Sequence, residues 1–185
     1  MKIIAAEFVA LDGVAEDSQE WIGEFFDDQL GQDMATQTAE RDMIIVGRRT
    51  YQVMAQAWPR QGTSNPTAAS MNNTPKLVAS STLTDVSEWQ NSTLMTGDAA
   101  AELRALKEHP GRNAMIIGSL ALVRSLLDAD VIDELQLLVF PVVVGKGKRL
   151  FDGEMRRLPF ELAECKAFGK GVVKLVYSPK SRRTG

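Results

Sequence analysis

The sequence predicts an α/β fold: a mostly parallel central sheet with helices on both faces and an antiparallel hairpin at its C-terminal edge. Three observations carry this prediction. Short apolar runs alternate along the chain with segments whose apolar residues recur at helical spacing. Two of the runs, ending at Gly47 and Gly118, lead at once into a helical segment, as strand–turn–helix units do. The last two extended runs are separated by Phe168-Gly169-Lys170-Gly171, a hairpin connection.

Taken in order, Ile3 to Leu11 is apolar apart from Glu7 and reads as a mostly buried strand that ends in the Asp12-Gly13 turn. Between Glu20 and Ala39, Phe26, Leu30 and Met34 recur every fourth residue, which predicts a helix laid on the core. Met43 to Val46, closed by Gly47, is a buried strand, and Arg49 to Ala57 a short helix that Pro59 stops. Arg60 to Thr74 is rich in Gly, Ser, Asn, Pro and Thr and reads as a long loop, either a lid or a binding loop. Lys76 to Ala79 is a strand ending in Ser80-Ser81, and Ser92 to Met95 a weaker one. Gly97-Asp98 opens a helix with Asp98 as its N-cap. Ala114 to Ile117 is a strand broken by Gly118-Ser119, before a helix with Val123, Leu126 and Leu127 on one face. Glu134 to Val144 is a long apolar strand in which Pro141 requires an edge or a bulge. An apolar strand of that length near an edge points to an interface between copies of the chain. Phe160 to Ala167 and Val172 to Tyr177 form the hairpin. No linker divides the chain, so residues 1–178 read as one domain and 179–185 as a basic, disordered tail.

With 185 residues, a single core buries enough apolar surface to need no disulfide or metal staple. The balance of 21 basic and 24 acidic residues gives a net charge of −3, which argues against a nucleic-acid partner. One cysteine, Cys165, allows no internal disulfide and suits a reducing cytoplasm. One histidine, His109 in a His-Pro-Gly turn, leaves no basis for a histidine metal site or a Ser-His-Asp triad, so no metal is expected. The N-terminal apolar segment is too short for a membrane span and contains Glu7, and no membrane partner is expected.

Two turns share one design, Val46-Gly47-Arg48-Arg49-Thr50 and Ile117-Gly118-Ser119-Leu120. Exposed N–H groups and partial positive charge at a helix start favour an anion, glycine lets the backbone approach it, and arginine adds a charge-assisted contact to phosphate. Each turn alone is equally an ordinary strand–helix connection. Ser80 and Ser81 stand at a third strand end and can contact a phosphate or serve as a simple turn. The carboxylates near the first strand, Glu7, Asp12, Asp17, Asp27 and Asp28, are the proton-transfer candidates, with Asp12 favoured and Asp27 or Asp28 behind it.

Together these features resemble the dihydrofolate-reductase superfold, and more closely the reductase half of the riboflavin-biosynthesis deaminase/reductase, the RibD C-terminal domain family. The residues that carry the resemblance run from Glu7-Phe8-Val9-Ala10-Leu11-Asp12-Gly13-Val14, through Val46-Gly47-Arg48-Arg49-Thr50-Tyr51, Pro75-Lys76-Leu77-Val78-Ala79-Ser80 and Ile117-Gly118-Ser119, to Phe140-Pro141-Val142-Val143 and Gly145-Lys146-Gly147-Lys148-Arg149-Leu150-Phe151. The resemblance implies a three-layer sandwich with NADPH across the carboxyl ends of the central strands. Gly47, Arg48, Arg49 and Thr50 would then hold phosphate groups, Ser80 and Ser81 the adenosine 2′-phosphate, and Gly118, Ser119 and Leu120 the pyrophosphate. Gly97 would pass close to the adenosine, and the nicotinamide and substrate would lie beside Ala6, Phe8 and Asp12. Lys146, Lys148 and Arg149 are candidates for a substrate phosphate. The implied activity is an NADPH-dependent reductase acting on a C=N or C=O of a small heterocyclic or ribosylated substrate, as a homodimer. A (phosphoribosylamino)uracil reductase, a true dihydrofolate reductase and a non-catalytic nucleotide-binding protein are the alternatives. In the last of these, Phe8, Trp21 or the 60–74 loop would block the nicotinamide pocket. The zinc deaminase motifs are missing, so both riboflavin steps are not expected of this chain.

Overall fold

The computed structural model describes residues 1–61 and 66–180. Its strands are β1 (Lys2–Ala10), β2 (Arg41–Gly47), β3 (Lys76–Ala79), β4 (Ser92–Leu94), β5 (Asn113–Ile116), β6 (Glu134–Phe140), β7 (Phe160–Ala167) and β8 (Val173–Pro179). They form one sheet in the order β4-β3-β2-β5-β1-β6-β8-β7. The first six run parallel, and β8 and β7 close the far edge as an antiparallel pair. The helices are α1 (Asp28–Glu40), α2 (Arg48–Ala57), α3 (Pro66–Asn73), α4 (Ala99–Lys107) and α5 (Leu120–Asp128).

Strand alternation sends successive side chains to opposite layers. Ile3, Ala5 and Val9 of β1, with Ile45 and Leu135, pack against Leu103 of α4 and Val123, Leu126 and Leu127 of α5. On the other face Ile44, Val46 and Val78 meet Tyr51 and Ala55 of α2, Met71 of α3, and Trp89. Leu30 of α1 covers Leu138 and Phe140 on that same face. The three-layer α/β sandwich is therefore as the sequence predicts.

Three expectations require correction. The helix expected from Glu20 begins only at Asp28, where Asp27 takes an extended conformation and its carboxylate accepts the Leu30 N–H at 2.8 Å. Two short 3-10 turns precede it (Ser18–Glu20 and Gly23–Phe25), so Phe26 lies outside the helix and packs with Trp21 and Phe25 around Phe140. The 60–74 loop is largely ordered: α3 fills it and buries Ala68, Met71 and Asn72. Residues 62–65 of that stretch lie outside the described residues. The strand expected to reach Val144 stops at Phe140, before Pro141, and it lies inside the sheet between β1 and β8. Its apolar length is explained by burial, and the edge argument for an interface fails. The exposed edge is β7, with Leu162 and Cys165 at the surface.

β8 reaches Pro179, and the Lys180 N–H donates to the Pro159 carbonyl; residues 181–185 of the expected tail lie outside the described residues. No helix among the described residues is long and apolar enough to cross a membrane.

Candidate functional site

The pairing of the central strands leaves the sheet split. β1 bonds β5 only over Lys2–Ala5, whereas it bonds β6 over Ile4–Ala10. Past Ile116 the chain stays with β2: the Ile117 N–H donates to Ile45 at 3.2 Å, and the Gly47 N–H donates to Gly118 at 3.0 Å. The two glycine turns are thereby held side by side at the carboxyl ends of β2 and β5. Contact is close enough to demand glycine at both. A Cβ on Gly47 would lie 2.5 Å from Ser119 Oγ, and one on Gly118, whose φ is +103°, 2.7 Å from Thr50 Oγ1. The Gly118–Ser119 peptide is cis.

A cleft of about 750 Å³ opens over this junction, within the size range of small-molecule and cofactor sites. One wall comprises Gly47, Arg48, Arg49 and Thr50, with Ser80 and Ser81 beyond; Gly118, Ser119 and Leu120 continue it. The segment Ala15–Gln19, together with Lys148, forms the opposite side. Trp21 Nε1 donates to the Glu16 carbonyl at 3.3 Å, and Lys148 and Arg49 pair with the Glu16 carboxylate at 3.0 and 3.4 Å. Those cations hold that carboxyl below its ordinary range.

The helix starts divide into two kinds. Asp27 caps α1 and Asp98 caps α4 at 2.8 Å each, satisfying N–H groups of the first turn. At α2 and α5 the N-cap positions are Gly47 and Ser119, and neither supplies a side-chain bond. Of these four helix starts, the two without a side-chain cap, at α2 and α5, are the two that open on the cleft.

The cleft gathers Gly47, Arg48, Arg49, Thr50, Ser80, Ser81, Gly118, Ser119 and Leu120. Ser80 also makes a turn, its Oγ accepting from Thr82 and Leu83. Gly97 is elsewhere: at the start of α4 its N–H donates to Glu102 Oε1 at 2.6 Å. Asp12 does not line the cleft. Its carboxylate accepts the Gly145 N–H at 2.8 Å and fastens the β1 turn to the segment after β6; that bond keeps the carboxyl below its ordinary range and so ionised, a poor proton donor. Asp27 is spent as the α1 cap, and Asp28 stands on a separate polar groove of about 1040 Å³ between α1 and the β8–β7 edge. Arg149 donates to the Asp12 carbonyl at 2.8 Å, and of the three basic candidates after β6 only Lys148 reaches the cleft.

Ala6 and Phe8 point away from the cleft. Phe8 belongs to the α1 side and meets Phe140 at 5.5 Å between ring centroids, as Trp21 does at 5.7 Å. Neither ring lines the cleft, nor do the described residues of 60–74. The β1 residue that does is Glu7, between Ala6 and Phe8 and therefore on the opposite face. It is 8% exposed, its Oε1 has no partner among the described residues, and burial pushes its carboxyl up to about 8. The signal for it was present in the sequence: one acidic residue interrupting an otherwise apolar strand, at the spacing of Ile3, Ala5 and Val9.

Comparison with known proteins agrees with this architecture. The family model of the RibD C-terminal domain matches residues 1–174. The protein YwjB of Bacillus subtilis (strain 168) is 30% identical over 171 residues, 89% of this chain and 90% of that one. The crystal structure of a putative riboflavin biosynthesis protein from Shewanella sp. PV-4 superposes with a TM-score of 0.76 at 21% identity, covering 98% of this chain and all of that one. Dihydrofolate reductase from Enterococcus faecalis, solved with NADP(H), has the same fold, with a TM-score of 0.64 at 14% identity over 97% of both chains. A parallel sheet split between β1 and β5, two apposed glycine turns and a match that runs from the first strand into the last all lead to one assignment: this chain belongs to the RibD C-terminal domain family.

Proposed function

We propose that the protein is an NADPH-dependent reductase that passes hydride to a C=N or C=O of a small heterocyclic or ribosylated substrate, such as the (phosphoribosylamino)uracil of riboflavin synthesis. The observation that carries this reading is the pair of uncapped helix starts side by side in one cleft, with two exposed arginines beside them. Helix-start N–H groups, glycines that let the backbone come close and guanidinium groups are what a dinucleotide's phosphates require. Membership in a reductase-domain family, and the NADP(H) held by a dihydrofolate reductase of the same fold, support it further.

The residues divide the work by position. Gly118, Ser119 and Leu120 at the start of α5 hold the pyrophosphate, while Arg48, Arg49 and Thr50 bind phosphate with Ser80 and Ser81 at the adenosine 2′-phosphate. The split between β1 and β5 receives the nicotinamide, which supplies the hydride when the cofactor is bound.

Replacing Arg48 and Arg49 together by Ala is expected to weaken NADPH binding roughly ten- to a hundredfold, the worth of one or two charge-assisted contacts, and to leave NADH nearly unchanged. Fluorescence titration measures both; equal losses would show that the 2′-phosphate is not read there. Consumption of NADPH with the (phosphoribosylamino)uracil and with dihydrofolate then separates the substrates.

The homodimer is retained as a proposal on the open β7 edge and its exposed Leu162. Light scattering should give twice the chain mass, and a monomer mass removes it. A cytoplasmic location suits the exposed free thiol of Cys165.

A further inference from the structure

The phosphate-holding residues occupy the helix-start side of the cleft and leave its β1 floor to a single ionisable side chain, Glu7. We propose that the Glu7 carboxyl group hydrogen-bonds the nicotinamide half of the bound dinucleotide; this rests on the NADPH reading above.

Three features lead there. The first is place: Glu7 lies beyond Ala5, where β1 has lost β5 as a neighbour, so its side chain meets the cleft where the sheet is open. The second is vacancy, because Oε1 is shielded from solvent without a partner among the described residues, and a buried acceptor left alone is unfavourable until a ligand satisfies it. The third is chemistry. A neutral carboxyl group offers one donor and an acceptor, matching a carboxamide or ribose hydroxyls, which also offer both.

Burial keeps Glu7 neutral, against a surround that holds more cations than anions. The segment after β1 contributes Glu16 and Asp17, α2 contributes Arg48 and Arg49, α5 contributes Arg124, and the segment after β6 contributes Lys148. Glu16 already takes Lys148 and Arg49, and Arg124 donates to the carbonyls of Arg149 and Leu150 at 3.2 and 3.1 Å. From β6 the register places Leu137 beside Glu7. No described cation pairs with Glu7, and burial holds its proton up to about pH 8. Loss of that proton would set a second anion against a phosphate-bearing ligand.

The test titrates the full chain and its Glu7→Gln and Glu7→Leu variants with NADPH and with adenosine 2′,5′-bisphosphate, which lacks the nicotinamide half. For the parent chain, NADPH affinity should fall roughly tenfold or more between about pH 7.5 and about pH 9.5, beyond any fall seen with the bisphosphate. Glu7→Gln should keep the affinity near pH 7.5 within a few-fold and abolish that excess fall. Glu7→Leu should lose about tenfold for NADPH and nothing for the bisphosphate, whose binding also reports a folded site. An excess fall that persists in Glu7→Gln overturns the inference while leaving the cofactor reading intact. Failure of the bisphosphate to bind the parent chain overturns the cofactor reading, and this inference with it.

Discussion

Without any ligand, the Glu7→Gln variant is expected to be more stable than the parent chain at neutral pH by on the order of 3 kcal/mol, and by less than about 1 kcal/mol at pH 5. The carboxyl of Glu7 is pushed from 4.5 in the open chain to about 8 in the folded one. Below the lower value both states hold the proton, and folding is not penalised. As pH rises toward about 8 the unfolded state releases its proton while the folded state keeps it, so stability falls across that window. A glutamine of the same shape has no proton to lose. For a chain of this size the neutral-pH difference corresponds to roughly 6–12 °C in the midpoint of thermal unfolding. Calorimetry at the two pH values decides it; a gain equal at both would mean that the charge of Glu7 is not the cause. A residue that costs stability in the free protein is what a binding group looks like before its ligand arrives.

The second large effect concerns Lys76. Its ammonium, in a residue only 1% exposed, donates to the carbonyls of Met71, Asn72 and Thr74 at 2.9, 3.1 and 2.7 Å, and lies 4.6 Å from the centre of the Trp89 ring. It thus closes the C-terminal end of α3, where carbonyls lack intrahelical partners. Lys76→Met keeps the stem and removes the donors, leaving three acceptors in the core, and should destabilise the chain by about 3–5 kcal/mol. Denaturant unfolding with an unchanged slope measures it, and a loss under about 1 kcal/mol would refute the capping role. Burial, together with the Arg41 charge, lowers the Lys76 ammonium to about 8. The folded state releases this proton before the unfolded one does, so the parent chain gains stability above about pH 8 and the Met variant lacks that gain. Glu7 and Lys76 therefore act in opposite windows, and their joint contribution is least favourable near pH 8.

Most of the fold was legible in the sequence because its strands are short, apolar and separated by helical spacing, so local pattern and tertiary burial agree. The failures have local causes. Gly23 and the capping Asp27 interrupt the pattern between Glu20 and Asp28, which apolar spacing alone does not register. Small polar residues made 66–73 resemble a loop, although Pro66 at the first helical position and the Lys76 ammonium at the far end make it α3. For the site, the glycine–arginine turns stood out because backbone demands write themselves into residue type.

By itself the sequence determined the alternation of strands and helices, the two glycine turns and the family resemblance, all properties of short segments read in order. Only the tertiary structure decided which β1 side chains meet the cleft. Ala6, Glu7 and Phe8 are adjacent in sequence, yet the pleat sends Glu7 to the cleft and Phe8 to the Phe140 cluster. It also decided which helix starts stay uncapped beside each other, since that depends on β2 and β5 being neighbours across about seventy residues of chain.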